Sequence, residues 1–167
     1  MNPDLRNLII RLLDEHRIMT VATNRPDGWP QATVVGYAND GFVLYCFVAR
    51  TSQKYANIMR DKRVSIAIAS DFPAPEEIKG LSLAAKASVV EDRKEFDRAS
   101  ELFLKRYPEY AAWARPDPAL APMMRMTPEI ISVLDYSKGF GHSDLVTVSS
   151  RDLAPGQAGR SNWLASA

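Results

Sequence analysis

The run Phe42-Val43-Leu44-Tyr45-Cys46-Phe47-Val48 passes almost directly into Arg50-Thr51-Ser52-Gln53-Lys54-Tyr55-Ala56-Asn57-Ile58-Met59, and this junction decides how the chain is read. The first run is apolar, β-branched and aromatic, as a buried strand is. The second places Tyr55, Ile58 and Met59 at i, i+3 and i+4, one apolar face of a short helix. Thr51 or Ser52 supplies its cap, because a side-chain hydroxyl there accepts one of the orphan N–H groups of the first turn. A helix start also presents the positive end of the peptide dipole, and Arg50 and Lys54 add two full charges beside it. Taken alone, this is an ordinary capped helix with solvated cations. Its surroundings give it the character of a phosphate grip.

Upstream, Asn39-Asp40-Gly41 turns the chain back from a second strand, Pro30 to Tyr37, which makes a hairpin with 42–48. Before it, Ile18 to Thr23 reads as a strand closed by the turn residues Asn24-Arg25-Pro26-Asp27-Gly28. Asn2-Pro3 opens a helix over residues 3 to 16, with Leu5, Leu8, Ile9, Leu12 and Leu13 as its apolar stripe. Downstream, Asp61-Lys62-Arg63 leads into the strand Val64 to Ala69. A long strand follows from Ile78 to Val90, with Gly80 at a bend. Asp92 and Glu95 begin a helix lined by Phe96, Ala99, Phe103 and Tyr107, and a short helical piece runs from Pro108 to Trp113. Three prolines make a loop of Arg115 to Pro122. Arg125 to Tyr136 is a strand with Pro128 at a bulge or edge, and Asp144 to Val148 is the last strand. The tail from Arg151 to Ala167 has no periodic apolar face and is expected to be mobile, with Trp163 available for a partner subunit. Residues 1–150 are expected to form a single α+β domain, an antiparallel barrel of six to seven strands with flanking helices.

Composition narrows the function classes. At 167 residues the chain can bury a real core, and 46% hydrophobic with 25% charged residues is usual for a globular domain. A net charge of +1 and the lack of a basic run argue against nucleic acid or an acidic membrane as partner. Cys46 is the single cysteine, which excludes an internal disulfide and any multi-cysteine zinc site; with only His16 and His142, no metal site is expected. Neither a signal peptide nor a membrane span is visible, so the cytoplasm is the expected compartment.

From about residue 3 to residue 150 the order of elements resembles the pyridoxamine 5′-phosphate oxidase-like family, the flavin-binding split β-barrels. The specific part runs from Arg50 to Val64: hydroxyl and Lys at the helix start, Asn57-Ile58, then Arg63-Val64 opening the next strand. The resemblance implies a homodimer with FMN at the subunit interface. Ser52 and Lys54 would hold the FMN phosphate with Arg50 or Thr51 assisting. The strand Gln31 to Val35, including Thr33 and Val34, would lie along the isoalloxazine, with Tyr45 and Cys46 between ring and phosphate. Cys46 also reads as a small buried hydrophobe, and Tyr45 as barrel packing with its hydroxyl at the rim. The loop Lys138-Gly139-Phe140-Gly141-His142 offers Lys138, Phe140 and His142 as substrate contacts, or is a hinge between two strands. The chain also departs from the oxidases themselves. After Val148 it holds only Arg151 and Arg160 and no His, and the second strand has no opening Arg, so pyridoxamine phosphate oxidation is not expected. The expected function is an FMN-dependent oxidoreductase acting on a small molecule. The alternatives are a non-catalytic flavin or haem carrier or redox-sensing dimer, with His16 or His142 as axial ligand, and a deazaflavin-dependent reductase.

Overall fold

Asn2 begins the first helix as its neighbours dictate. Its side chain accepts from the Asp4 N–H at 2.8 Å, Pro3 follows at the first helical position, and α1 (Pro3–Glu15) buries Ile9, Leu12 and Leu13. The computed structural model describes residues 1–72, 74–112 and 117–153. After α1 come β1 (Ile18–Asn24), β2 (Pro30–Gly36), β3 (Ala38–Asp40), β4 (Val43–Phe47), α2 (Gln53–Arg60), β5 (Arg63–Ala69), β6 (Lys79–Val89), α3 (Arg93–Arg106), β7 (Met123–Asp135) and β8 (Ser143–Thr147). Every strand pairing is antiparallel, in the order β2-β1-β5-β6-β7-β4-β3. The sheet curls into a half-barrel, the split-barrel α+β fold. β7 is its spine: β6 runs along one edge, while β4 takes residues 123–126 and β8 residues 130–134 of the other.

A short extra strand, β3, forms where Asn39-Asp40-Gly41 was expected to turn the chain, so the expected hairpin of 30–37 with 42–48 is not made: β2 pairs β1, and it is β3 that pairs β4. The Tyr37 N–H donates to Arg17 O, its in-register partner just past β1 and β2, at 3.2 Å and also to the Tyr107 hydroxyl at 3.0 Å. That hydroxyl in turn donates to Arg17 O. Gly36 makes the approach possible, since a Cβ there would lie 2.9 Å from the Tyr107 oxygen. The expected irregularity at Pro128 is present. The β6–β7 register shifts between Ala84 and Ala85, where Ile130 and Pro128 are their partners, so the bulge falls at Pro128. Trp113 and the loop through Pro116, and the tail from residue 154 on, lie outside the described residues. Before that point Asp152 accepts from Ser149 and from Arg6, and Leu153 packs against the core.

Strand alternation sorts side chains to two faces. The inner face joins α1 in one cluster that includes Val21, Leu44, Cys46, Ile66, Leu83, Met124 and Ile131. Behind β3 and β4, α3 covers a second cluster with Tyr45, Phe103, Tyr107 and Met123. On the outer face the register aligns Ala32, Ala22, Ser65, Ala84, Ile130 and Thr147 in one row. Val34, Thr20, Ala67, Ser82, Ser132 and Leu145 form the next. Neither row carries a charge.

Gly36→Ala should cost about 1–3 kcal/mol, because the added methyl must displace a ring packed between two backbone segments. Urea unfolding measures this, and an unchanged midpoint would remove the Tyr107 contact as the constraint on Gly36.

Candidate functional site

The start of α2 is built by Ser52, not Thr51. The Ser52 Oγ accepts from Tyr55 N–H at 3.2 Å and donates to Ala49 O at 2.7 Å, while Thr51 is exposed. The approach to the helix is held by backbone bonds from Val48 N–H to Pro122 O and from Arg50 N–H to Leu120 O. The Arg50 guanidinium donates to the Tyr55 hydroxyl at 2.7 Å and lies over its ring. Lys54 differs from these. Its half-buried ammonium makes no hydrogen bond or ion pair among the described residues, and burial pulls its pKa below the ordinary lysine value, an effect the Cys46 thiol opposes. An unpaired, partly desolvated cation at a helix start favours an incoming anion.

Cys46 lies beside it on the inner face of β4, fully buried. Burial pushes its thiol up to about 12, with the Lys54 charge opposing. Tyr45, the preceding residue, points to the other face. Its hydroxyl donates to Glu95 Oε1 at 3.0 Å, and burial followed by that carboxylate raises its pKa. Tyr45 thus belongs to the packing of α3 and is not brought to the α2 start.

On β2, Thr33 pairs with Val21 and so faces inward. Its Oγ1 is buried without a hydrogen-bond partner. Such an atom is costly unless something outside the chain completes it. Val34 faces outward and is 64% exposed.

Between α2 and β2 lies a group whose placement was not read from the sequence. Asn57, completely buried, donates to Thr23 Oγ1 at 3.0 Å and to Gln31 Oε1 at 3.2 Å, and accepts from Gln53 Nε2 at 2.9 Å. The available signal was the i, i+4 pair Gln53 and Asn57 beside the apolar Ile58.

The Lys138–His142 loop lies elsewhere. Met124, paired with Cys46, and Leu134, at the base of the loop, are separated along β7 by roughly 30 Å of extended chain. Lys138 Nζ and His142 Nε2 both meet Asp144 Oδ2, at 2.8 and 3.3 Å, and hold that carboxylate below its usual range. Phe140 is 93% exposed, its ring centroid 5.3 Å from that of Tyr136. Lys138 and Asp144 border a cleft of about 450 Å³ with Leu5, Leu8 and Arg11 of α1. Within one chain these three residues do not meet Lys54 or Thr33. His16 is also turned inward, its Nδ1 2.7 Å from Leu12 O and its Nε2 buried without a partner. Among the described residues no cluster of His, Cys, Asp and Glu could hold a metal ion, and no helix is long and apolar enough to cross a membrane.

The family model of pyridoxamine 5′-phosphate oxidase matches residues 7–134, from α1 to the end of β7. The chain belongs to the pyridoxamine 5′-phosphate oxidase family. No curated protein matches it by sequence. Among solved structures it is similar to a heme-binding protein from Mycobacterium smegmatis, with a TM-score of 0.74 and 21% identity over 88% of this chain. It spans 59% of that protein's length. A putative pyridoxamine 5′-phosphate oxidase from Listeria innocua gives a TM-score of 0.64 and 22% identity, covering 78% of this chain and 98% of that one. The heme storage protein HutZ from Vibrio cholerae gives 0.61 and 19%, covering 74% and 89%. At these identities the likeness is one of fold. The family placement accounts for the element order around Lys54.

The Cys46 environment gives a direct check. Native protein should not react with a thiol reagent at neutral pH, because the sulfur is both enclosed and neutral, and one thiol per chain should appear only on unfolding. Rapid labelling of folded protein would place Cys46 at an open surface instead.

Proposed function

We propose that this chain is an FMN-binding oxidoreductase of the pyridoxamine 5′-phosphate oxidase family that acts on a small molecule other than pyridoxamine phosphate. The observation that carries the reading is Lys54, a half-buried cation without a partner at the capped start of α2. The donor set fits the phosphate and ring of FMN: a lysine and free helix N–H groups at one end, the orphaned Thr33 hydroxyl on β2 at the other. When bound, the flavin supplies the capacity to take up and release electrons. The residues of the chain bind and orient it. Lys54 neutralises phosphate charge, with Ser52 fixing the helix start and Arg50 and Thr51 at the rim. Thr33 offers its hydroxyl to the ring, and Cys46 closes the inner wall as an inert neutral group. None of the described residues is assigned as an acid or base for the substrate.

The same reading includes a homodimer. Two uncharged rows on an outer sheet face, with Val34, Ile130 and Leu145 exposed, are what a second copy would cover. Such a dimer could also bring Lys138, Phe140 and His142 of one chain toward the cofactor of the other. Haem binding is the second reading, favoured by the heme-binding neighbours. His16 is turned inward onto Leu12 O, which leaves the half-exposed His142 as its axial candidate.

Purified chain should take up FMN with quenched flavin fluorescence, and Lys54→Ala should weaken uptake about tenfold or more through loss of a charge-assisted bond. Bound phosphate raises the Lys54 pKa, so affinity is full while the amine is protonated and declines as pH rises through that pKa. Hemin uptake with a Soret band and no flavin uptake would replace this reading by the second. For the dimer, Ala67→Arg should shift sedimentation from two chains to one, whereas a wild-type monomer would remove the dimer altogether.

A further inference from the structure

Asn57 presents a problem of its own. An amide enclosed at zero exposure, one residue before the equally buried Ile58, stands where an aliphatic side chain would pack at no polar cost. Every donor and acceptor of the amide is nevertheless used. Nδ2 donates to Thr23 Oγ1 on β1 and to Gln31 Oε1 on β2, and Oδ1 accepts from Gln53 Nε2. The ends of this network are informative. Gln53 is the first residue of α2, between Ser52 and Lys54. Gln31 lies two residues before Thr33 on the same inward face of β2. Thr23, also buried, pairs with Gln31 across β1 and β2. One side chain therefore touches both pieces of the chain that would hold the two ends of an elongated ligand.

Among the described residues the other ties reach only the far end of the helix, where Arg60 donates to Asn24 O and Arg25 O at the turn between β1 and β2. β2 is the terminal strand of the sheet and pairs only with β1, and α2 follows β4 from the far side of the half-barrel. Without Asn57 the start of α2 would be held to the β1–β2 pair only through that far end, and its spacing from β2 would be less tightly set. A ligand gripped at both ends would then bear the cost of fixing it.

We infer that Asn57 is a positioning residue: it fixes the distance between the phosphate-binding start of α2 and the ring-facing strand β2, so that a flavin phosphate is gripped at both ends at once. The inference rests on the FMN reading above and adds to it a residue that need not touch the ligand. Its consequence is selective. A flavin without a phosphate uses only the β2 half and gains nothing from the spacing.

The test compares FMN with riboflavin on the full chain, by fluorescence titration of wild type, Asn57→Ala and Gln31→Ala. Gln31→Ala cuts only the β2 arm at a half-buried position, so it serves if Asn57→Ala does not fold. Either variant should lose roughly tenfold in FMN affinity with less than threefold change for riboflavin, so that the preference for the phosphorylated flavin collapses. Equal losses for both ligands, or no loss for FMN in Gln31→Ala, would overturn the positioning role while leaving FMN binding by the wild type intact. A wild type that binds neither flavin would overturn the FMN reading and this inference with it.

Discussion

The hydroxyl of Tyr107 sits where the chain changes partners between β2 and β3. It accepts from Tyr37 N–H and donates to Arg17 O, the in-register pair that closes the β1–β2 ladder, just before β3 begins at Ala38. β2 then ends the sheet beside β1, while β3 serves β4 at the other extreme. β2 is an edge strand whose inner face carries Thr33 with an unmet hydroxyl. The contact works only because Gly36 lacks a side chain at the point of closest approach.

Polar groups inside the half-barrel follow two patterns. Around Asn57 every group finds a partner, and the network behaves as part of the frame, linking helix to strands. At Lys54 and Thr33 the groups are left open, one a cation and one a hydroxyl. A folded chain retains such groups at a cost in stability, which a bound anion and ring would offset.

The outer face of the sheet extends the same logic to the surface. Small and apolar residues occupy two rows across six strands, and the charges gather at the border in Arg63, Lys86 and Glu129. At the end of β8 the Lys138–Asp144–His142 cluster ties down a loop whose Phe140 remains in solvent.

Much of this was legible in the residues. Asn2, Ser52 and Asp92 stand at their helix starts, and the apolar spacing of α1 and α3 sets their buried faces. The bulge at Pro128 and the cation at Lys54 follow from chemistry within a few residues. Other features came only with the tertiary structure. Alternation puts Tyr45 and Cys46 on opposite faces, but only the docking of α3 turns Tyr45 away from the site. The enclosure of Asn57 depends on Thr23 and Gln31, 34 and 26 residues away, and the contact at Tyr37 on a hydroxyl 70 residues on. The separation of Lys138 from Lys54 is a length along β7 that no local pattern encodes. The sequence by itself determined the helices, most of the strands, the caps and the cation, since these depend on neighbours within one or two turns. Only the tertiary structure decided which of those groups share an interior, because that depends on contacts between residues far apart in the chain.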